Sequence, residues 1–469
     1  MEKDNSMQTV SAKPREKLNS RLGFLLLSAG CAIGIGNVWK FPYVAGQNGG
    51  GIFVLIYLLF LVILGIPVLT MEFTLGRASQ KSPMLLYQAL QKPGQKWHLH
   101  GYASFAGSYL LMMFYTVITG MMLLYLKATA FGELEGLTPN GVASFNGVLQ
   151  QDYVAVGVAT AIVIVLGFLI CAFGVKKGLE RVTKVMMIAL LFLMIGIAIY
   201  CCCMPGAVEG IKFLFIPDPD KIQAVGIGNV IVAAMNQAFF TLSLGMGSMA
   251  IFGSYIGKDR ALMGEAVNVT LLDTFVAIMS GLIILPACFA FNGGQTDAGP
   301  NLIFITLPNI FNSMPGGRII GSLFFVFMFF AAFSTVLGVF ELIIASACEK
   351  FNWSRTKSCI INGILMCVLC IPCIVGFAIP SISFLGKGIL DWEDFIVSNI
   401  VLPLGSLIFA LFCTLKAGKG WGWNNFMTEA NQGKGLKVKN WMRIYMSYVL
   451  PVIILALFVV GILQSFGVF

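Results

Sequence analysis

Two short stretches place polar and glycine residues inside otherwise apolar sequence: Gly30-Cys31-Ala32-Ile33-Gly34-Ile35-Gly36-Asn37, and Phe240-Thr241-Leu242-Ser243-Leu244-Gly245-Met246-Gly247. Such residues loosen a helix, and a loosened helix frees carbonyls to face a cation and N–H groups to face an anion. Asp273 sits in a third apolar run. A carboxylate there is costly unless paired, which makes it a functional candidate by default. The donors on offer are carbonyl, amide, hydroxyl and carboxylate oxygens, the set that hard cations prefer. Two plainer readings stand beside this one: small residues can serve close helix packing, and Asp273 can be a protonated structural group. Two matched breaks with Asn, Thr and Ser alongside favour a lined cavity, where unwound backbone is tolerated in a membrane.

The elements that must position these residues follow from composition. The chain has 469 residues, 58% hydrophobic and 11% charged, with a mean hydropathy of +0.88. Soluble domains carry about 25% charged residues, so the bilayer must be the solvent. High apolar content and a net charge of only +9 exclude disordered and fibrous classes. Lys and Arg recur in short loops rather than in a patch, which excludes nucleic acid as a partner and points to topology. The twelve Cys lie mostly inside apolar runs and read as small buried hydrophobes. The polar N-terminal stretch lacks a signal-peptide pattern, so the first apolar run is expected to remain in the protein.

A membrane-crossing helix needs about 20 apolar residues, and eleven candidates occur at roughly 22–46, 51–76, 101–131, 154–174, 183–205, 228–256, 261–291, 318–349, 358–378, 392–416 and 441–467. The expected architecture is an all-α integral membrane protein. With the N-terminus inside, inner segments carry 24 Lys and Arg and outer segments 4. The N-terminus is therefore expected in the cytoplasm and the C-terminus outside. Outer connections 132–153 and 292–317, richer in Gly, Asn and Pro, are expected to cap the mouth. The breaks fall in spans one and six, corresponding members of two five-helix halves, 22–205 and 228–416. Five is odd, so the second half enters from the opposite side and the breaks can meet at the midplane, as in inverted-repeat secondary transporters. Residues 1–21 form a cytoplasmic latch and 441–469 the eleventh helix.

The residues also carry a resemblance. Arg21-Leu22-Gly23-Phe24, Gly34 to Tyr43, Asn48-Gly49-Gly50-Gly51 and Gly65 to Arg77, together with Phe239 to Gly245 and Gly178-Leu179-Glu180-Arg181, resemble the neurotransmitter:sodium symporter family. Eleven spans on a short chain look like its bacterial hydrophobic amino acid:sodium symporters, with a LeuT-type 5+5 inverted repeat and discontinuous helices one and six. The resemblance implies two sodium ions and no organic cofactor. The first site would use Ala32, Asn37, Thr241 and Asp273; the second would use Gly30, Ile33, Ala331, Ser334 and Thr335. Many relatives resemble Asn at Asp273 and bind chloride one turn on, commonly with Ser, where this chain has Ala277. Asp273 then supplies the negative charge, and chloride is not required.

Monoamine carriers of the family have Asp where this chain has Gly34, so the ligand here should bring its own carboxylate. That group would sit against the broken helix, including Gly36, and the Tyr115 hydroxyl, with Phe240 and Ser243 at the amine end. Leu111, Ile35, Phe240, Met246 and Val339 would line an apolar side-chain pocket, and deformable Met246 suits aromatic as well as aliphatic substrates. Lys40 and Asp394 would form the outer gate, Arg15 and Glu349 the inner. Leu18 and Ile188 depart from the family pattern, where Trp and Pro are common. His98 and His100 read as solvated loop residues, and Gly34-x-Gly36 follows no strand and is not a dinucleotide fingerprint. Glu72 and Glu341 are in-span carboxylates whose partners the sequence does not name.

The expected function is sodium-coupled symport of neutral hydrophobic L-amino acids by alternating access in a bacterial inner membrane. A proton-coupled or uncoupled exchanger on the same scaffold is the alternative, and loss of the Ser334 and Thr335 hydroxyls would favour it. An enzyme would need a catalytic cluster at one membrane face, and a channel a continuous polar stripe; neither is visible. A transport-dead sensor remains open, and protein partners are not indicated.

Overall fold

Span one begins at Arg21, where the Ser20 hydroxyl accepts the Gly23 N–H and caps the helix. It stops at Ala32, because Ile33 turns extended (φ −68°, ψ 98°). Helix resumes as a wide π turn over Gly36–Lys40 and an α-helix over Phe41–Gln47, bent by 57° from the first piece. Span six runs over Ile227–Thr241 and resumes at Ser248–Gly253. Between them Ser243, Gly245 and Gly247 take φ of 50°, 87° and 84°. That left-handed region is open to glycine and costly for most other residues, so the two glycines make this break possible.

The computed structural model describes residues 18, 20–220, 225–294, 299–379, 383–384, 386–416 and 418–465. Among them, nine helices are long and apolar enough to cross a bilayer without interruption: Gly51–Ser79, His98–Ala130, Tyr153–Ala172, Val175–Cys202, Leu262–Phe291, Gly317–Phe351, Arg355–Ala378, Ile389–Thr414 and Met442–Leu463. With the two broken spans these make the eleven expected. Span six alone would escape a length criterion, because its first piece has only 15 residues.

The details differ in three places. Connections 132–153 and 292–317, read from sequence only as Gly-, Asn- and Pro-rich, contain the helices Pro139–Gln151 and Leu302–Ser313. Span five starts at Val175 instead of 183, because Val175–Glu180 coils into a wide turn that carries the Gly-Leu-Glu motif into the helix. His100 is buried, with Nδ1 2.9 Å from the Tyr87 hydroxyl; span three already begins at His98, so the residue belongs to a packed helix and not to a solvated loop.

Packing sorts most spans into two groups. Spans one and two pack against each other and against spans six and seven, spans three, four, eight and nine contact one another, and span one meets span eight across the two groups. Span eight is buried on all sides from Ala331 to Ala347, as expected of a helix apolar all round at the centre of a bundle.

Candidate ion and substrate site

The two breaks face each other. Ser243 Oγ lies 3.5 Å from the Cys31 carbonyl, and Gln237 Nε2 donates to the Gly36 carbonyl at 2.7 Å. Glycine is needed at Gly36, because a Cβ there would stand 2.7 Å from the Phe240 ring. At Gly34 a Cβ would collide with the Tyr115 hydroxyl and Thr335 Oγ1. The neighbouring Ile35 N–H donates to that same Tyr115 hydroxyl at 2.8 Å. Unwinding thus leaves peptide groups to be satisfied by side chains from spans three and six.

On one side of the first break, Ser334 Oγ lies 3.4 Å from the Ile33 carbonyl and donates to the Ala331 carbonyl at 2.9 Å, while Thr335 Oγ1 lies 3.5 Å from the Gly30 carbonyl and 3.4 Å from that of Ile33. All five oxygens expected at the second site therefore converge. Ligands about 2.3–2.6 Å from a hard cation and at right angles around it stand ~3.3–3.7 Å apart. Three long contacts of 3.4–3.5 Å match that spacing better than they match ordinary hydroxyl hydrogen bonds, which prefer about 2.7–2.8 Å. The residues thus fit a bare cation of sodium's size.

On the other side, Asn37 Nδ2 donates to Asp273 Oδ1 at 2.8 Å and to the Asp273 carbonyl at 3.1 Å, and Thr241 Oγ1 donates to Asp273 Oδ2 at 3.0 Å. All three side chains are fully buried. No group of three or more His, Cys, Asp or Glu suited to a metal occurs among the described residues, so this carboxylate stands with neutral oxygen donors, the company a monovalent hard cation accepts.

Between the two clusters lies a narrow cavity whose walls include Ala32, Gly36, Leu111, Tyr115, Phe240, Ser243, Met246 and Thr335. Val397 and Leu402 of span ten complete it. Ile35 and Val339, expected on this wall, are buried but not among the residues that line it. Nothing in the apolar residues of span ten singled out Val397 and Leu402, because those residues look alike on every face. Above Phe240, Lys40 Nζ stands 4.0 Å from the ring centroid and 3.1 Å from Asp394, with Ser398 Oγ at 3.2 Å. Arg15 lies outside the described residues, and Glu349 accepts the Ser82 N–H at 2.8 Å. Arg21 pairs with buried Glu265 of span seven at 3.0 Å, tying the N-terminal end of span one in place.

The two unassigned carboxylates acquire partners. Glu72 Oε1 accepts the Gly245 N–H at 2.5 Å and so holds the span-six break from behind. Glu341 pairs with Arg355 and accepts the Tyr255 hydroxyl at 2.6 Å. Gln237 and Ser398 escaped sequence reasoning, and Glu72 was noted there without a partner. Glu72 and Gln237 meet backbone groups freed by unwinding, and Ser398 meets a lysine hundreds of residues away; neither kind of partner leaves a pattern in sequence.

The model of the sodium:neurotransmitter symporter family matches residues 15–136 and 146–467. Among curated proteins, an uncharacterized sodium-dependent transporter of Bacillus subtilis, YhdH, is 36% identical over 448 residues, covering 95% of this chain and 98% of its own. The sodium-dependent serotonin transporter of Drosophila melanogaster is 24% identical, covering 97% and 78%. Among solved structures, the crystal structure of MhsT in complex with L-phenylalanine is 38% identical, covers 95% of this chain and all of its own, and superposes with a TM-score of 0.86. With a LeuT-type fold, eleven spans and a family match along nearly its whole length, the chain belongs to the sodium:neurotransmitter symporter family, and it is a multi-pass, sodium-dependent membrane transporter, not an enzyme.

Proposed function

We propose that the chain couples sodium to the uptake of neutral, hydrophobic L-amino acids by alternating access, with two sodium ions and without chloride. The observation that carries this reading is the meeting of the two breaks between an array of five oxygens at Gly30, Ile33, Ala331, Ser334 and Thr335 and the Asn37–Thr241–Asp273 cluster, with an apolar cavity between them. A substrate carboxylate would lie near Ala32, Gly34, Gly36 and the Tyr115 hydroxyl, beside the first sodium, with its side chain toward Leu111, Phe240 and Met246. Among the described residues no charged side chain lines the cavity, so a zwitterion with an apolar side chain is the complementary ligand.

Residues 22–205 and 228–416 act as inverted repeats, with the N-terminus in the cytoplasm of a bacterial inner membrane and residues 1–21 as the latch. Movement of spans one, two, six and seven against three, four, eight and nine would open each side in turn. Two sodium ions per zwitterion make transport electrogenic, with about 2.3 kcal/mol gained per charge for each 100 mV. The test is uptake of labelled Leu, Phe and Trp into proteoliposomes with sodium, potassium or lithium outside, with and without chloride. Uptake indifferent to sodium ends the symport reading, and uptake confined to charged amino acids ends the substrate assignment.

Two further outcomes are expected. Met246→Phe replaces a deformable side chain by a rigid ring and should lower Trp uptake about tenfold relative to Leu uptake, since a misfit in a filled apolar pocket costs ~1–3 kcal/mol; an unchanged Trp/Leu ratio removes Met246 from the specificity wall. Lys40→Ala breaks a partly exposed pair worth about 0–1 kcal/mol. The unfolding temperature should stay within about 2 °C, while release of bound amino acid to the outside speeds up several-fold in a filter-binding chase.

A further inference from the structure

A second cavity lies away from the substrate site, on the membrane-facing side of spans two, seven and eleven. It is a groove of about 490 Å³, within the roughly 300–1,000 Å³ typical of small-ligand sites. Its walls are apolar, with Val62 and Ile66 from span two, Val267 from span seven, and Met442 and Met446 from span eleven. Tyr445 closes the back by donating its hydroxyl to the Ile63 carbonyl at 2.5 Å. Val62 is 60% exposed, so the groove opens sideways toward the hydrocarbon rather than inward.

Its mouth is different in chemistry. Lys437 and Lys439 line it and are exposed, and exposed Arg443 follows one turn on. None of the three is in an ion pair among the described residues. The nearest acidic groups in the sequence and the adjoining loop are engaged, Glu429 with Arg77 at 2.7 Å and Lys258 at 3.8 Å, and Asp259 with Arg260 at 4.0 Å. From residue 430 to the end of the chain there is no Asp or Glu at all. Trp441 is 69% exposed, as expected of an aromatic anchor at the headgroup level. An apolar slot in the hydrocarbon, headed by uncompensated cations at the interface, has the polarity of an anionic lipid in reverse.

We infer that this groove binds an anionic glycerophospholipid, one acyl chain between spans two, seven and eleven and the phosphate against Lys437 and Lys439. The inference needs only the membrane location of the chain, not its substrate.

The test uses the full chain purified in an uncharged detergent, with native mass spectrometry counting retained phosphatidylglycerol or phosphatidylcholine. Wild type should retain the anionic lipid at least tenfold better. Lys437→Ala with Lys439→Ala should weaken its retention about 25-fold, since a lysine near the headgroups contributes a factor of about five. The control pair Lys92→Ala with Lys96→Ala, equally exposed in another loop, should change nothing. Val267→Trp, which fills the slot, should lower retention of the anionic lipid with all lysines intact, in a protein whose unfolding temperature is preserved. Equal retention of both lipids, equal effects of the two lysine pairs, or displacement of the lipid by inorganic phosphate at matched concentration overturns the assignment. A change of oligomeric state in Val267→Trp would instead make the groove a contact between copies and equally overturn it.

Discussion

Asp273→Asn is expected to lower sodium affinity about 100-fold and to stop uptake in chloride-free medium. The Asp273 carboxylate is fully buried and accepts hydrogen bonds from Asn37 and Thr241, neither of which brings charge. On the proposed reading the first sodium ion is its only counter-charge. Breaking a buried charge pair costs about 3–5 kcal/mol; Asn keeps one oxygen in place, so the lower end applies, about two decades in binding. Combining Asp273→Asn with Ala277→Ser should restore uptake only when chloride is present, because a hydroxyl one turn on offers an anion a donor. The measurement is sodium-titrated uptake with chloride or gluconate. Full activity of Asp273→Asn without chloride would refute the role given to this residue, and strong chloride dependence of the unmutated protein would do the same.

Ser334→Ala combined with Thr335→Ala removes two of the five oxygens gathered around the unwound part of span one. Hydrogen-bonding groups that face a charge are worth about 1.5–3 kcal/mol each, so sodium affinity should fall by about two to four decades and coupled uptake should be lost at physiological sodium. Thr335→Ser keeps the hydroxyl and should stay within about threefold of wild type, which separates loss of a ligand from loss of packing against Tyr115. Chloride should not rescue the double variant, because the missing groups are neutral. Sodium-dependent uptake that survives both substitutions would refute the role given to these hydroxyls, and uptake that persists without sodium would favour the exchanger alternative.

Much of this arrangement was legible beforehand because glycine and polar residues inside apolar runs are expensive and therefore informative. The breaks at 33–35 and 242–247 stand where Gly34, Gly36, Gly245 and Gly247 announced them, and Asp273 was marked by its cost alone. Residues that cost nothing in a membrane were not legible in the same way. Val397 and Leu402 are as unremarkable in sequence as the other apolar residues of span ten, and they line the cavity in which Val339 was expected. Glu72 was flagged but not explained, since its partner is the peptide N–H of Gly245, a group every residue carries.

Hydropathy, the placement of basic loops and two interrupted runs determined the membrane solvent, the number of spans and the chemical type of the site, because each of these depends on transfer free energies that single residues carry with them. Which oxygens meet at 3.4 Å, which apolar side chains close the cavity, and which carboxylate props up which loop were decided only by the packing of eleven helices. Those are properties of distances between residues up to 382 positions apart, as Ile63 and Tyr445 are, and local sequence does not encode such distances.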